Sequence, residues 1–364
     1  MLEYNIIYLS IILGVLLTFY NKRGDYKLFY ILICTFMIAV CGLRKDVIGI
    51  DTYNYLYYFT NPEDKSGFYQ MYEADGMEPG LGWLNSFFRI FISNKYVYQL
   101  CLTALSQIPL YIFFYKFSDN KFLTLFLYTA FSIGCGVYFL DFNAMRQCLA
   151  ISFFIWTLLA YMNSDGNIKS FKVLLPFVAM VLVHKSSLMV ILPFLMTKMN
   201  FGKKTYVLVV CSATLIGFVM NYFFSYLEMA FTLFTGGTFY TRQIAGNGFN
   251  VIMLLPYSLI CLVIIIFSKK DELNNLFFNS LILSMLIQGV MAFSGNNIDR
   301  MCAYFYVLGY IAVGNFSMSK HKALTVRLPI ILCVLAYFTY KFYVSLSLMT
   351  ESGHAFIPYK WCFE

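Results

Sequence analysis

Five of the seven arginines in this 364-residue chain fall on the same predicted side of a set of apolar segments. They are Arg44, Arg89, Arg146, Arg242 and Arg300. A guanidinium is planar and permanently charged, and its fork of N–H donors binds phosphate or carboxylate through two hydrogen bonds. Arginines gathered near one face of a membrane protein therefore indicate that an anionic ligand binds at that face.

The first of these arginines opens a polar loop, residues 44–52 (RKDVIGIDT). Because glycine permits a tight turn, Gly49 can bring Arg44 and Asp51 close together. Such a pair could hold a phosphate and a sugar hydroxyl at one place. The alternative is a solvated charge pair in a loop.

A second cluster, residues 78–85 (EPGLGWLN), begins with a carboxylate. Pro79 and the glycines predict a turn into a short apolar segment. Glu78 either stabilises the start of a helix through the helix dipole or acts as a general base on an acceptor hydroxyl. The residue types are compatible with both roles.

A third cluster, residues 141–147 (DFNAMRQ), places Arg146 where an apolar segment begins. A charge at that depth is costly unless it is paired or faces a polar cavity. The N-terminus of a helix adds a positive dipole and free N–H groups, which suit an anion. We therefore predict a functional role for Arg146, and the alternative is snorkelling of its side chain to the membrane surface.

Residues 172–198 form either one long span or a hairpin of two short spans broken at 184–187 (HKSS). The charge of the flanking connections favours the hairpin. Broken helices in membranes generally line cavities. His184 could there take a proton from a hydroxyl or position a phosphate, and a hydrogen-bonded structural histidine is the alternative.

Three further groups give weaker signals. Arg242 lies in a glycine-rich loop and is by itself typical of a solvated arginine. Asp299 and Arg300 precede an apolar segment and could simply neutralise each other. Residues 358–360 (PYK) add a polar group to the C-terminal tail.

The composition places these clusters on membrane helices. The chain is 60% hydrophobic and 12% charged, and its mean hydropathy is +0.70. Runs of about 17–22 apolar residues match the length that crosses the hydrocarbon of a bilayer. We predict an all-α, polytopic integral membrane protein, a single transmembrane domain over residues 1–364, with about twelve membrane-spanning helices in a range of roughly eleven to fourteen. The predicted spans are 4–20, 28–43, 96–115, 122–140, 145–162, 172–183, 186–198, 206–227, 251–268, 274–293, 301–317 and 328–347.

Lysine collects in alternate connections, which the positive-inside rule assigns to the cytoplasm. These connections are 21–27, 116–121, 163–171, 199–205, 269–273 and 318–327. Both termini are then predicted to lie outside. The short apolar segment 81–95 is predicted to be a re-entrant or interfacial helix, because a full crossing would invert the charge bias downstream. The main outer segments are the long loop 44–80, a second loop 228–250 and the tail 348–364.

Other functional classes find no support in the motifs. The ten cysteines are scattered singly, so neither a zinc site nor a disulfide framework is predicted. No Walker loop, GxGxxG, HExxH or GxSxG context is present. The net charge of +8 comes mostly from lysine in short loops, which fits membrane orientation better than nucleic-acid binding. We therefore predict no metal, no cofactor and no nucleic-acid partner.

In their order along the chain, these clusters resemble the EpsG family of bacterial polysaccharide polymerases, which is related to the Wzy O-antigen and capsule polymerases. The resemblance implies a polytopic enzyme of the bacterial cytoplasmic (inner) membrane. Such enzymes join oligosaccharide repeat units carried on undecaprenyl pyrophosphate at the outer, periplasmic or extracellular side. The residues that carry the resemblance are Arg44 with Gly49, Ile50, Asp51 and Thr52, then Glu78, Pro79 and Gly80, then Asn143, Arg146 and Gln147, then His184, Ser186 and Ser187, and finally Arg300 and Tyr304.

The resemblance also implies roles for these residues. Glycosyl transfer expels undecaprenyl pyrophosphate, whose accumulating negative charge needs fixed cations. The predicted cations are Arg146, Arg300 and Arg44, with Arg242 as a weaker candidate. The predicted base is His184, then Glu78 or Asp51. The predicted binding set is completed by Thr52, Asn143, Gln147 and Tyr304.

Three other functions remain open at this stage. An O-antigen ligase-like transferase uses the same donor and leaving group. A flippase or other transporter of the lipid-linked oligosaccharide is expected to show repeat halves and ionisable residues near the midplane, and the sequence shows no repeat. A membrane acyltransferase with a histidine base is the third. The predicted partners are the undecaprenyl-pyrophosphate-linked oligosaccharide and membrane lipids, together with a chain-length regulator and a flippase.

Overall fold

The chain folds into two compact units, each of which is described by itself. The first comprises Met1–Ala130, Cys135–Leu188 and Cys333–Glu364, and the second comprises Phe131–Gly134 and Met189–Leu332. The prediction of a single transmembrane domain over residues 1–364 stays a prediction. The computed structural model describes residues 1–21, 24–49, 51–61, 78–130, 136–164, 167, 169–191, 201–235, 254–273, 275–290, 296–319, 323–349 and 356–364.

The described residues are helical, apart from connections and one isolated β-bridge between Arg44 and Trp361. The helices of the first unit are α1 (Leu2–Tyr20), α2 (Lys27–Gly42), α3 (Thr52–Thr60), α4 (Gly80–Arg89), α5 (Lys95–Phe117), α6 (Lys121–Ala130), α7 (Gly136–Asn143), α8 (Met145–Asn163) and α9 (Phe171–Val183). A 3-10 helix (Lys185–Val190) follows α9 and has residues in both units. Those of the second unit are α10 (Lys203–Thr235), α11 (Leu254–Phe267), α12 (Lys270–Leu273), α13 (Leu276–Val290) and α14 (Asn296–Met318). Residues of α15 (Leu324–Met349) belong to both units.

Hydropathy locates most of these helices within a few residues of their observed ends. Among the described residues, six helices are long and apolar enough to cross a membrane. They lie in α1, α5, α8, α10, α14 and α15. Five shorter apolar helices accompany them, namely α2, α6, α9, α11 and α13. The prediction of an all-α, multi-pass membrane protein is confirmed, and the count of twelve spans is not.

The helices of the first unit run up and down, so alternate connections meet at the same end. At one end, Lys95 at the start of α5 pairs with Asp46 in the loop after α2, at 2.7 Å. Trp361 of the tail contacts Glu3 at the start of α1 at 3.3 Å. This end also contains Arg146, at the start of α8, and we call it the Arg146 end.

The opposite end of the first unit, which we call the Lys116 end, carries the lysine-rich connections. Lys116 at the end of α5 donates to Asn163 at the end of α8 at 3.3 Å. The rings of Tyr30 and Tyr115 lie 5.3 Å apart, and Lys121 lies 4.7 Å from the Tyr115 ring. The described residues of the predicted connections 21–27, 116–121 and 163–171 therefore share one end.

In the second unit, one basic and one acidic side chain each contact residues at the end of α14. Arg327 donates to the Ser317 carbonyl at 2.6 Å, and the Ser319 hydroxyl donates to Glu272 at 2.9 Å. Arg300 lies near the start of α14, at the end of that helix remote from these contacts.

Two predicted spans differ from the structure. Residues 122–140 contain two helices, α6 and α7, because α7 begins at Gly136 with a φ of +76°, which a regular helix does not contain. Residues 186–198 begin as a 3-10 helix, in which the Ser187 N–H donates to the His184 carbonyl three residues back. Prediction of an α-helix at that point is wrong. The intervening residues 131–135 and the following residues 192–200 lie outside the described residues.

The short segment predicted at 81–95 forms the ten-residue helix α4. At 1.5 Å per residue this helix is about 15 Å long, half the thickness of the hydrocarbon. It buries Leu81 and Asn85 and exposes Trp83 and Phe87. An amphipathic helix of this length does not cross a bilayer, and its interfacial or re-entrant position stays a prediction.

Candidate functional site

The loop that follows α2 wraps around the end of α7. Gly49 has a φ of +87°, and a Cβ at this position would clash with the carbonyl oxygen of Phe142. Glycine alone permits both the conformation and the close approach. The Thr52 hydroxyl donates to the same carbonyl at 2.8 Å. The loop is thereby fixed against the segment that leads into α8.

Arg44 is completely buried in this loop and is held by neutral acceptors. Its Nη2 donates to the Thr52 hydroxyl at 3.0 Å and to the Asp141 carbonyl at 3.1 Å. Its Nη1 donates to the Cys41 carbonyl, and its Nε reaches the Ile48 carbonyl at 3.4 Å. A buried guanidinium surrounded by carbonyl oxygens holds the loop to α7. This environment favours a positioning role for Arg44, and direct binding of pyrophosphate by it stays a prediction.

The C-terminal tail docks on the same loop. Two main-chain hydrogen bonds, of 3.0 and 2.8 Å, join residues 360–362 to residues 43–45. The Tyr359 hydroxyl donates to a carbonyl in the last turn of α2 at 2.6 Å. Because Trp361 also contacts Glu3, the two ends of the chain meet beside the Arg44 loop.

A buried polar network supports the same segment from within the helices. Oδ2 of Asp141, near the end of α7, accepts hydrogen bonds from Ser106 at 2.7 Å and Gln107 at 2.8 Å. The Tyr128 hydroxyl donates to the other side of the Gln107 amide at 2.6 Å. Because a buried carboxylate needs such donors, the network ties α5, α6 and α7 together immediately before Arg146.

Arg146 lies in the first turn of α8 and contacts two groups from preceding segments. Its Nη1 lies 3.3 Å from Oε2 of Glu78, and its Nε donates to the Tyr55 hydroxyl at 3.4 Å. The side chain of Arg146 remains 19% exposed and that of Glu78 11%. This guanidinium is paired with a carboxylate but is not enclosed.

Glu78 also contacts the break after α9. Its Oε1 accepts the backbone N–H of Lys185 at 2.6 Å and lies 3.9 Å from Nδ1 of His184. Helix α9 ends at Val183, and His184 has an extended backbone. The predicted break at 184–187 is confirmed, and it is this break that brings the imidazole and a main-chain donor to Glu78.

A close approach of two helices keeps Glu78 near the break. Gly80, the first residue of α4, packs against the last turn of α9. A Cβ on Gly80 would lie 2.6 Å from the carbonyl oxygen of Leu182. Cβ atoms do not tolerate that distance, so glycine permits the contact. Glu78 precedes Gly80 by two residues and is therefore held beside His184.

Tyr55 completes the group from the buried face of α3. Burial raises the pKa of Tyr55 above its ordinary value, and the positive charge of Arg146 opposes that rise. The side chain is therefore a neutral phenol at physiological pH. Its oxygen accepts from Arg146 and its O–H remains a donor. We refer to Tyr55, Glu78, Arg146 and His184 as the Glu78 cluster.

The chemistry of the Glu78 cluster follows from its geometry. A carboxylate beside an imidazole sets the tautomer and orientation of a histidine that acts as a general base. A partly exposed guanidinium beside the same carboxylate can bind an anion. Within the described ranges, no group of three His, Cys, Asp or Glu side chains is placed to hold a metal ion.

The other predicted residues of the first unit lie at the same Arg146 end. Asp51 occupies the N-cap position of α3 and is partly exposed. Asn143 and Gln147 are buried on either side of the α7–α8 junction. Thr52 is buried, where it bonds Arg44 and the end of α7.

The remaining predicted residues belong to the second unit. Arg300 is exposed near the start of α14, and Tyr304 is buried one turn further along the same helix. Arg242 lies outside the described residues. The predicted binding roles of these three residues stay predictions.

Several contributors to the site are not among the residues predicted from the sequence. Ser106 and Gln107 left a detectable signal, because adjacent polar residues inside an apolar span generally face another polar group. The sequence contains no such signal for the main-chain donor at Lys185. It also contains none for the contact of Trp361 with the Arg44 loop. Both depend on segments that are distant in sequence.

No curated protein and no solved structure matches the chain. The sequence pattern that defines the EpsG family matches residues 27–361. That range takes in nearly the whole chain, including the Glu78 cluster and Arg300. The chain therefore belongs to the EpsG family.

Proposed function

We propose that this protein is a glycosyltransferase that polymerises oligosaccharide repeat units carried on undecaprenyl pyrophosphate at the outer side of the bacterial cytoplasmic membrane. The observation that carries the proposal is the convergence of Glu78, Arg146 and His184 at one end of the first unit. EpsG-family membership and the apolar helices support a membrane-bound, polysaccharide-polymerase-like protein.

The proposed reaction joins two lipid-linked sugars. A hydroxyl of the acceptor unit forms a bond to the anomeric carbon of the donor chain, while the bond from that carbon to the diphosphate oxygen breaks. The electron pair leaves with undecaprenyl pyrophosphate, and the hydroxyl proton passes to a base. Because negative charge accumulates on the leaving diphosphate, a fixed cation placed there lowers the barrier.

Arg146 is the proposed cation. A guanidinium carries five N–H donors, and the contacts of Arg146 with Glu78 and Tyr55 use two of them. Since the side chain is partly exposed, phosphate oxygens can approach the others. Glu78 is itself anchored by the Lys185 N–H, so the guanidinium stays aligned when the diphosphate binds.

His184 is the proposed base. Glu78 already accepts hydrogen bonds from Arg146 and from the Lys185 N–H, so we assign it an orienting role. At 3.9 Å, Nδ1 of His184 is within a small side-chain movement of a hydrogen bond to Glu78. With Nδ1 turned to the carboxylate, Nε2 takes the proton from the acceptor hydroxyl. Asp51 is the proposed second choice.

The proposal gives the other arginines supporting roles. Arg44 holds the loop that carries α3 and thereby places Tyr55 against Arg146. Arg300 and Arg242 are proposed to bind further phosphate or sugar groups. Positive charge from arginine takes the part that a metal ion plays in other phosphate chemistry, so the reaction is proposed to be metal-independent. A chain-length regulator and a flippase are the proposed protein partners.

The test is incubation of the purified protein with lipid-linked repeat units and separation of the products on a gel. The proposal predicts a ladder of polymer lengths that persists in the presence of a chelator. Folded protein that leaves only single repeat units would contradict it. An O-antigen ligase-like activity would instead transfer the sugar to a different acceptor, and a flippase would release no undecaprenyl pyrophosphate.

A further inference from the structure

The first unit contains a second feature that the proposed reaction does not use. A cavity of about 400 Å³ lies between α2 and α5. Its wall is formed largely by apolar side chains, among them Ile31, Cys34, Ile108 and Ile112. Ile31, Ile108 and Ile112 are 44–49% exposed. The cavity is therefore an open groove on the surface of two apolar helices that pack against each other.

Charged groups mark one end of this groove. Lys27 and Lys116 both line it and both are exposed at the Lys116 end. Tyr115, which also lines the groove, lies 4.7 Å from the ammonium of Lys121. Tyrosine and lysine in this arrangement are typical of the level of lipid headgroups. The groove thus has an apolar wall and a cationic mouth.

The surrounding sequence strengthens that charge. Among the described residues of the connections 21–27 and 116–121, three are basic (Lys27, Lys116 and Lys121) and two are acidic (Asp25 and Asp119). Asp25 accepts the backbone N–H of Lys27, so this contact leaves the ammonium of Lys27 unneutralised. Lys116 donates to the neutral amide of Asn163. A net positive mouth remains beside the apolar wall.

We propose that this groove binds an anionic membrane phospholipid, with one acyl chain between α2 and α5 and the phosphate between Lys27 and Lys116. Each part of the lipid meets a complementary part of the groove, because methylene groups meet isoleucine and the phosphate meets two ammonium groups. Lysine near a membrane surface attracts anionic lipid in this way. The site is separate from the Glu78 cluster, which lies at the Arg146 end of the same unit, so its occupancy does not depend on the proposed function.

The test is native mass spectrometry of the purified full-length protein mixed with phosphatidylglycerol or with phosphatidylcholine of the same acyl chains. Wild type is expected to retain phosphatidylglycerol about tenfold more tightly than phosphatidylcholine. The double variant Lys27→Ala, Lys116→Ala is expected to lose that preference. The matched control is Lys169→Ala, Lys172→Ala, which removes two exposed lysines at the same end, one from the connection before α9 and one from the first turn of α9.

A second pair of variants tests the apolar wall without changing charge. Thr35 lines the groove, and Thr35→Trp is expected to reduce retention of both lipids. Leu32, on the same helix, is 58% exposed, and Leu32→Trp is expected to leave retention unchanged. The proposal is overturned if wild type binds the two lipids equally, if the two double-lysine variants behave alike, or if the two tryptophan variants behave alike.

Discussion

Arg44 and Arg146 lie at the same end of the same unit, yet their surroundings differ in kind. Arg44 is completely buried and donates to carbonyl and hydroxyl oxygens. Arg146 is paired with the carboxylate of Glu78 and keeps 19% of its side chain exposed. The first environment stabilises the fold and the second leaves a cation that a ligand can reach. A predicted position at a membrane boundary therefore does not by itself assign a function to an arginine.

The largest expected effect comes from changing the enclosed arginine. Arg44→Lys keeps the charge, but a single ammonium group cannot replace both Nη1, which donates to the Cys41 carbonyl, and Nη2, which donates to Thr52 and to the Asp141 carbonyl. Each orphaned buried acceptor costs about 1–3 kcal/mol, so we expect a loss of roughly 3–5 kcal/mol and little folded protein. The measurement is the yield and thermal midpoint of the variant purified in detergent.

The neighbouring charge provides the control for that prediction. Lys45 meets the tail through its backbone, so Lys45→Ala is expected to fold as wild type does. A thermal midpoint for Arg44→Lys equal to that of Lys45→Ala would remove the contrast between the two arginines.

The accessible arginine is expected to show the opposite pattern. Arg146→Lys retains a charge near Glu78, so protein level and thermal midpoint should stay unchanged. Loss of the fork should slow glycosyl transfer by about 10²–10³-fold, the scale for one electrostatic donor at a developing anion. Polymer length in cells carrying the variant, measured beside protein level, checks this. Full-length polymer would exclude Arg146 from the reaction.

Glu78 and His184 are expected to act as one unit. Glu78→Gln and His184→Ala should each slow chain extension by about 10²-fold. The double variant should be little slower than the worse single variant, because an orienting group has no effect without its base. Asp46→Asn is the matched control, since it changes another carboxylate at the same end that pairs with Lys95. Multiplicative losses in the double variant would show that the two residues act independently.

The smallest expected effect lies in the tail. Tyr359→Phe removes one buried hydrogen bond, to the last turn of α2, and should cost about 1 kcal/mol. We expect a thermal midpoint lowered by a few degrees and polymer of normal length. Tyr340→Phe, at a position that is 70% exposed, is the control. A large loss of polymer in Tyr359→Phe would place the tail in the reaction itself.

Much of the helical framework could be predicted from the sequence, because a helix that crosses a membrane needs a continuous run of apolar residues. Long apolar runs predicted the ends of α1, α2, α5 and α8 within a few residues. The alternation of lysine-rich connections predicted which connections of the first unit share an end. The polar break at 184–187 was found for the same reason. The division of residues 122–140 was missed because hydropathy does not register the positive φ of Gly136.

The sequence predicted which residues belong to the site but not how they are placed relative to one another. Residue type singled out Glu78, Arg146 and His184 as capable of chemistry, but nothing local shows that Glu78 stands between the other two. Residue type and local sequence also do not distinguish Arg44 from Arg146. The burial of Arg44 depends on Gly49, on the end of α7 and on a tail more than 300 residues away.

The central claim is that Arg146 stabilises the departing diphosphate, and its most direct test is the rate of undecaprenyl pyrophosphate release in a single turnover. Purified wild type and Arg146→Lys of equal thermal midpoint would be mixed with the same lipid-linked donor and acceptor. We expect Arg146→Lys to release undecaprenyl pyrophosphate at least about 100-fold more slowly than wild type. Release at the wild-type rate would contradict it.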